Sequence, residues 1–256
     1  MKVVTNAHEL PSACAFVPTM GALHAGHASL FTLAKRYSES VVASIFVNPL
    51  QFESKEDLAK YPRTPDIDIE IAAASGVTHL WLPQQAEIYP DGFTKHSAGP
   101  IGDLYEGKSR PGHFDGVLTV VRRLFDLVKP KVAIFGEKDF QQLQLIKTIA
   151  GDVEIITAPT IRESDGLALS SRNVRLTPEG RTSALVIHRA LTQSKSEDEL
   201  RAILATEPAI TIDYADFIDE KTFSHAQSDT QEVRAIVAGW INGVRLIDNI
   251  PMGNRA

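Results

Sequence analysis

His24 and His27 close the segment PTMGALHAGH (18–27), where strand-like residues give way to a helical pattern. Its glycines, Gly21 and Gly26, and its early proline let the backbone turn sharply and approach a ligand closely. A helix start offers unbonded N–H groups and a partial positive charge, which suits a phosphate chain. The spacing of three puts both rings on one side of the turn. Imidazole donates to a phosphate oxygen without a permanent charge and moves protons near neutral pH. The same pair could be half a metal site, but no third ligand follows at a metal spacing. Each ring could also simply satisfy the turn. The segment is neither the Walker loop nor the GxGxxG dinucleotide loop.

FGEKDFQQL (135–143) again joins a strand pattern to a helix pattern. Lys138 sits there as a cation able to neutralise charge moving onto a leaving group. Asp139 is a ligand or a helix cap. Gln142, one helical turn beyond Lys138, is expected to face the same crevice. In PTIRESDGLALSSRN (159–173), Ser170, Ser171 and Arg172 place two hydroxyls before a guanidinium, a set able to wrap phosphate oxygens. A mobile segment there could close over a nucleotide. Asn48 and Gln51 in SIFVNPLQF (44–52) are neutral amides in an apolar frame, suited to hydroxyl and carboxylate groups. In KSRPGHFDGVLTVV (108–121), Arg110 reads equally as a solvated loop cation and as a phosphate or carboxylate ligand, and His113 as structural or functional.

Strand patterns rich in β-branched residues fall at 15–18, 41–47, 78–83, 132–136 and 153–159. Helical periodicity falls between them at 27–38, 66–75, 116–128 and 139–150. The first of these helices places Leu30, Phe31, Ala34 and Tyr37 on one face. Alternation of this kind predicts a Rossmann-like, doubly wound parallel α/β sheet that binds ligands beyond the carboxyl ends of its strands. The last third differs. Two helix patterns (178–193, 197–207) precede three strand patterns (210–219, 232–240, 244–251), and Asn242-Gly243 is a two-residue hairpin signal. The expected division is a larger domain, 1–160, and a smaller C-terminal α+β domain, 161–256.

The 256 residues carry a formal charge of -6 with 43% hydrophobic content. That composition argues for a soluble globular protein and against a nucleic-acid binder, which would present a basic face. Counter-charges for an anionic ligand must then be local: Lys108, Arg110, Lys138, Arg162 and Arg172. No run is long and apolar enough to span a bilayer. The N-terminal stretch makes a poor secretory signal. The one cysteine, Cys14, reads as a strand residue and fits a reducing compartment, so the expected location is cytoplasmic.

PTMGALHAGH is similar to the HxGH signature of the nucleotidylyltransferase superfamily. With SIFVNPLQF, DLAKYPRT, KSRPGHFDGVLTVV, FGEKDFQQL and PTIRESDGLALSSRN, it resembles the pantothenate synthetase (pantoate–β-alanine ligase) family from residue 15 to about 176. The resemblance implies an ATP-dependent ligase that activates pantoate as an adenylate and passes it to β-alanine. It implies a homodimer, and magnesium on the β- and γ-phosphates with few protein ligands. Met20, Gly21, Ala22, Leu23, His24, Ala25, Gly26 and His27 would line the ATP site, with His27 the proton donor. Gly136, Glu137, Lys138 and Asp139 would bind nucleotide, Ile161 would meet adenine through its backbone, and Leu169, Ser170, Ser171 and Arg172 would close over the triphosphate. Gln51 and Gln142 would hold pantoate, the stretch around Gln51 would border β-alanine, and Arg110 would lie near the substrates. A nucleotidyl transferase that stops before ligation is the nearest rival; a non-catalytic nucleotide-binding module is the other.

Overall fold

The computed structural model describes residues 1–52 and 54–253, without the side chain of Asp57. The chain divides into two compact units: Met1–Glu137 with Gln141–Pro159, and Lys138–Phe140 with Thr160–Ala256. No helix among the described residues is long and apolar enough to cross a membrane.

The first unit holds a six-stranded parallel sheet of β1 (Lys2–Val4), β2 (Ala15–Thr19), β3 (Val41–Ile45), β4 (His79–Trp81), β5 (Val132–Gly136) and β6 (Glu154–Ala158). Its order is β1-β4-β3-β2-β5-β6. Helices α1 (Ala25–Ala34), α2 (Lys55–Lys60), α3 (Pro65–Ala74), α4 (Gln85–Ile88), α5 (Gly99–Gly102), α6 (Glu106–Ser109), α7 (His113–Val128) and α8 (Phe140–Thr148) lie between the strands. Alternate strand residues enter different cores, because side chains along a strand point to opposite faces. Phe16, Val42, Ala133 and Phe135 join Val117, Val121, Leu124 and Ile146. Ala15, Val17, Val41, Ala43 and Ile134 join Phe31, Ala34 and Ala72. Both faces are covered, as a parallel sheet requires. Each fully buried Phe, Leu or Ile contributes about 2 kcal/mol of apolar burial. The chain reverses its direction of growth between the paired strands β2 and β5. That is the switch point where open α/β sheets bind ligands.

Several sequence expectations need correction. Helix α1 stops at Ala34, and Tyr37, 42% exposed, lies beyond it rather than on its buried face. Strand β3 ends at Ile45, freeing Asn48 and Gln51 for a following turn. Cys14 immediately precedes β2; its carbonyl accepts the Lys131 N–H at 3.0 Å.

The second unit carries α9 (Pro178–Gln193), α10 (Glu197–Leu204) and an antiparallel meander, β7 (Ile210–Asp219), β8 (Val233–Ile241) and β9 (Val244–Pro251). Thr177 caps α9 by accepting from the Gly180 N–H at 3.0 Å, with Pro178 in the first turn. Ser196 caps α10 through the Glu199 N–H at 3.2 Å. Val233, Ala235 and Val237 of β8 pack with Ile187, Leu191, Leu200 and Leu204. The β8–β9 turn has φ 51° at Asn242 and 72° at Gly243, the left-handed pair that a tight hairpin needs.

Candidate active site

In the first unit, the residues singled out by their chemistry follow the carboxyl ends of β2, β3 and β5. The loop after β2 is held by Asp68 of α3, a buried carboxylate 2% exposed. It accepts the Ala22 N–H at 3.1 Å, the Leu23 N–H at 2.8 Å and the Thr64 hydroxyl at 3.0 Å. Gly21 turns beneath it at φ 81°, and a Cβ there would stand 2.9 Å from the Asp68 Oδ2. Nothing in the sequence marked Asp68, which reads as an ordinary acid in the first turn of a helix. Leu23 sends its side chain into the core, so only its backbone faces the loop.

The two histidines cap α1 reciprocally. His24 is the N-cap, and its Nδ1 accepts the Gly26 N–H at 3.1 Å. The Nδ1 of His27 accepts the His24 N–H at 3.3 Å, and the ring centroids are 4.2 Å apart. A backbone N–H can only donate, so each Nδ1 is unprotonated. The proton of each neutral ring then sits on Nε2. Two Nε2–H donors at a helix start suit a polyanion.

After β3, a turn spanning Pro49–Gln51 carries a buried amide network. Asn48 Oδ1 accepts from the Leu50 N–H at 3.1 Å and from the Tyr89 hydroxyl at 2.6 Å. Its Nδ2 donates to the Gly116 carbonyl and to Gln51 Oε1, both at 3.0 Å. With four bonds, Asn48 is saturated; it positions Gln51 rather than meeting a ligand. The bond to its oxygen fixes the orientation of the Gln51 amide. Burial pushes the Tyr89 phenol up, so it remains a donor. Gly116 lets α7 approach closely, because a Cβ would lie 2.3 Å from the Leu50 carbonyl oxygen.

Arg110 and His113 meet at the Gln51 backbone. Arg110 Nη2 donates to the Gln51 carbonyl at 3.2 Å, and His113 Nδ1–H donates to it at 2.9 Å. Arg110 Nη1 lies 3.2 Å from His113 Nε2. The structure therefore joins Arg110, His113 and Gln51, which the sequence left separate. Gly136 ends β5, Glu137 follows it, and half-buried Gln142 lies on α8. Burial pushes the Cys14 thiol up to about 11, which makes it a poor nucleophile.

In the second unit, Lys138 and Asp139 occupy one turn of 3-10 helix, with Lys138 Nζ 3.7 Å from Asp139 Oδ1. The Ile161 carbonyl accepts the Leu169 N–H at 3.0 Å, which closes the chain ahead of Ser170. Ser170 Oγ then caps the turn Ser171–Arg175 by accepting the Arg172 N–H at 3.2 Å. Arg172 has no ion pair among the described residues, whereas Arg162 is committed to Asp248 by bonds of 2.6 and 2.9 Å. Arg162 is thus withdrawn from the candidate anion ligands. The one cluster of metal-ligating side chains among the described residues, Glu197, Asp216 and His225, holds Arg201 instead.

Sheet order, switch point and histidine-capped helix define a nucleotide-binding α/β protein with an HxGH junction. A sequence model described as pantoate-beta-alanine ligase matches residues 1–251, and the chain belongs to that family. The pantothenate synthetase of Acidothermus cellulolyticus is 48% identical over 93% of this chain and 85% of its own. That of Pseudomonas putida is 42% identical over 98% and 97%. Pantothenate synthetase from Thermus thermophilus superposes with a TM-score of 0.93 at 42% identity, covering 99% of this chain and all of its own. The pantoate-beta-alanine ligase of Francisella tularensis, complexed with beta-gamma ATP and beta-alanine, gives 0.84 at 37% identity over 98% of each chain.

Proposed function

We propose that the protein condenses pantoate with β-alanine at the expense of ATP, through pantoyl-adenylate. The observation that carries this reading is the reciprocal His24–His27 cap, taken together with a buried Gln51 whose amide oxygen is held by Asn48. The first suits a triphosphate and the second an oxyacid.

A carboxylate is a poor acyl donor, since its leaving group would be oxide. Pantoate therefore attacks the α-phosphorus of ATP and expels pyrophosphate. The uncharged amine of β-alanine attacks the acyl carbon of the adenylate, AMP leaves with the bonding pair, and the amine proton passes to solvent. No covalent enzyme nucleophile is required. The protein's part is alignment, charge neutralisation and exclusion of water.

In this reading, residues 20–27 bind the triphosphate through backbone N–H groups and the Nε2–H donors of His24 and His27, with His27 giving its proton as charge moves to pyrophosphate. Gln51 and Gln142 hold the pantoate hydroxyls and carboxylate, and the stretch at Gln51 borders β-alanine. Arg110 and His113 fix the Gln51 backbone beside them. Gly136, Glu137, Lys138 and Asp139 are assigned to the nucleotide, Ile161 to adenine, and Leu169, Ser170, Ser171 and Arg172 to the triphosphate. Residues 1–160 would form the ATP- and pantoate-binding domain and 161–256 the lid. Magnesium enters as the ATP complex. Magnesium keeps waters and phosphate oxygens as ligands and so needs no carboxylate cage from the protein. A single buried cysteine supports a cytoplasmic location. A homodimer is the proposed assembly, and a monomeric mass by light scattering would refute it.

Incubating the protein with magnesium, ATP and pantoate, with and without β-alanine, tests the reading. The expected result is catalytic AMP release that depends on both acids. Turnover indifferent to them would overturn it. Replacing His27 by Ala should remove most pyrophosphate release while the fold survives; unchanged release would take that histidine out of the mechanism.

A further inference from the structure

We propose that the Asp248-Asn249 pair of β9 positions both phosphate-directed segments of the second unit, Asn249 by holding the Lys138 turn and Asp248 by holding residues 161–172. The inference rests on the reading of Lys138 and of Ser170–Arg172 as triphosphate ligands.

Adjacent residues on a strand point to opposite faces. On one face, Asn249 Nδ2 donates to the Lys138 carbonyl at 2.8 Å, across 111 residues of chain. Asn249 Oδ1 accepts from the Arg234 guanidinium. The amide cannot turn over, because one end meets an obligate donor and the other a carbonyl. Arg234 lies 3.9 Å above the centroid of Phe140, two residues after the lysine, and donates to Glu220 at 2.8 Å. The Phe140 ring also packs on Phe223, with centroids 5.6 Å apart. The Lys138 turn is thereby gripped at its backbone and at its neighbouring side chain.

On the other face, Asp248 takes both Nη atoms of Arg162. Arg162 Nη1 also donates to the Gly166 carbonyl at 3.1 Å, closing the turn whose arms meet at the Arg162–Ala168 bridge. Asn173 Nδ2 donates to the Ala168 carbonyl at 3.0 Å and extends the brace past Ser170 to the far side of Arg172. The Asn249 N–H donates to Asp248 Oδ1 at 2.8 Å, so the two arms share a backbone link. Both residues, 5% exposed, sit in a strand where apolar side chains would pack without any desolvation cost. Buried polar groups add little net stability over well-packed apolar ones, but they do fix geometry.

Asn249→Asp tests the first arm, since it keeps an acceptor for Arg234 and removes the donor to Lys138. The expected result is a fall of about a hundredfold in kcat/KM for ATP, the scale of a 1 Å misplacement, with KM for pantoate unchanged. In a Lys138→Met background, Asn249→Asp should cost nothing further, because both changes act on one group. Asn249→Ala repeats the comparison without placing a charge in the buried site. Asp248→Asn, measured with and without Arg172→Ala, tests the second arm in the same way. Wild-type kinetics, an equal loss in the Lys138→Met background, or a parallel rise in the pantoate KM would overturn the proposal. Full activity of Lys138→Met alone would instead sink the assignment of Lys138, and this inference with it.

Discussion

Two buried aspartates each hold a loop assigned to the nucleotide, and they do it through different chemistry. Asp68 accepts backbone N–H groups from Ala22 and Leu23, while Asp248 accepts a guanidinium from Arg162. The first arrangement depends on one carboxylate and a glycine at position 21; side chains at 22 and 23 barely enter it. The second depends on two side chains at once, and loss of Arg162 leaves the Asp248 carboxylate buried without its counter-charge. A loop held by its backbone can thus vary in sequence where a loop held by a side chain cannot.

Removing Arg162 should have the largest effect on stability. Arg162→Ala leaves Asp248 buried without its counter-charge, and the expected loss is about 3 kcal/mol, measured by urea unfolding. Arg172→Ala, ten residues on, should change stability by no more than about 0.5 kcal/mol while weakening ATP binding. Equal stability losses in the two variants would erase the distinction between them. Asp68→Asn should cost about 2 kcal/mol, because the amide can accept one of the two N–H groups and must oppose the other. It should also raise the KM for ATP without altering that for pantoate. An unchanged ATP response would mean that the carboxylate does not set the loop.

A solvent-facing carboxylate supplies the smallest effect and the control for both. Asp219 accepts the Lys221 and Thr222 N–H groups, each at 2.9 Å, and the Thr222 hydroxyl at 3.1 Å. The Thr222 backbone bond leads in holding its carboxyl below the usual 3.8. A depressed folded value contributes stability that is present above the unfolded value and lost as pH falls through the folded one. The stability gap between the protein and Asp219→Ala should therefore be small near neutrality and close progressively in acid below that value. A gap that widens in acid would reverse the assignment.

These contrasts also explain what the sequence could and could not disclose. The six-stranded sheet was legible wherever a β-branched run is buried on both faces, as at Val41–Ile45 and Val132–Gly136. Strand β1 was not, since its three residues lie at the sheet edge and two are exposed. Helices α4, α5 and α6 are single turns with no period to read. The HxxH pair, Gln51 and Lys138 stood out by type and by placement after strands. Arg162 drew the same suspicion as Arg172 because a sequence shows a charge but not its partner. Asp68 drew none, since its partners are backbone groups that every residue carries.

The second unit has a consequence for how this chain can be cut. The unit includes Lys138–Phe140, which precede the rest of it and are followed by residues of the other. A fragment begun at Thr160 would carry Phe223 and Arg234 with no ring of residue 140 between them, and Asn249 with no carbonyl to receive it. During synthesis the Lys138 carbonyl must wait for the last strand before its partner Asn249 exists. Domain swaps, split-protein halves and circular permutants joined near residue 160 would therefore sever the lysine turn from its anchor, although the backbone break itself falls in an ordinary connection.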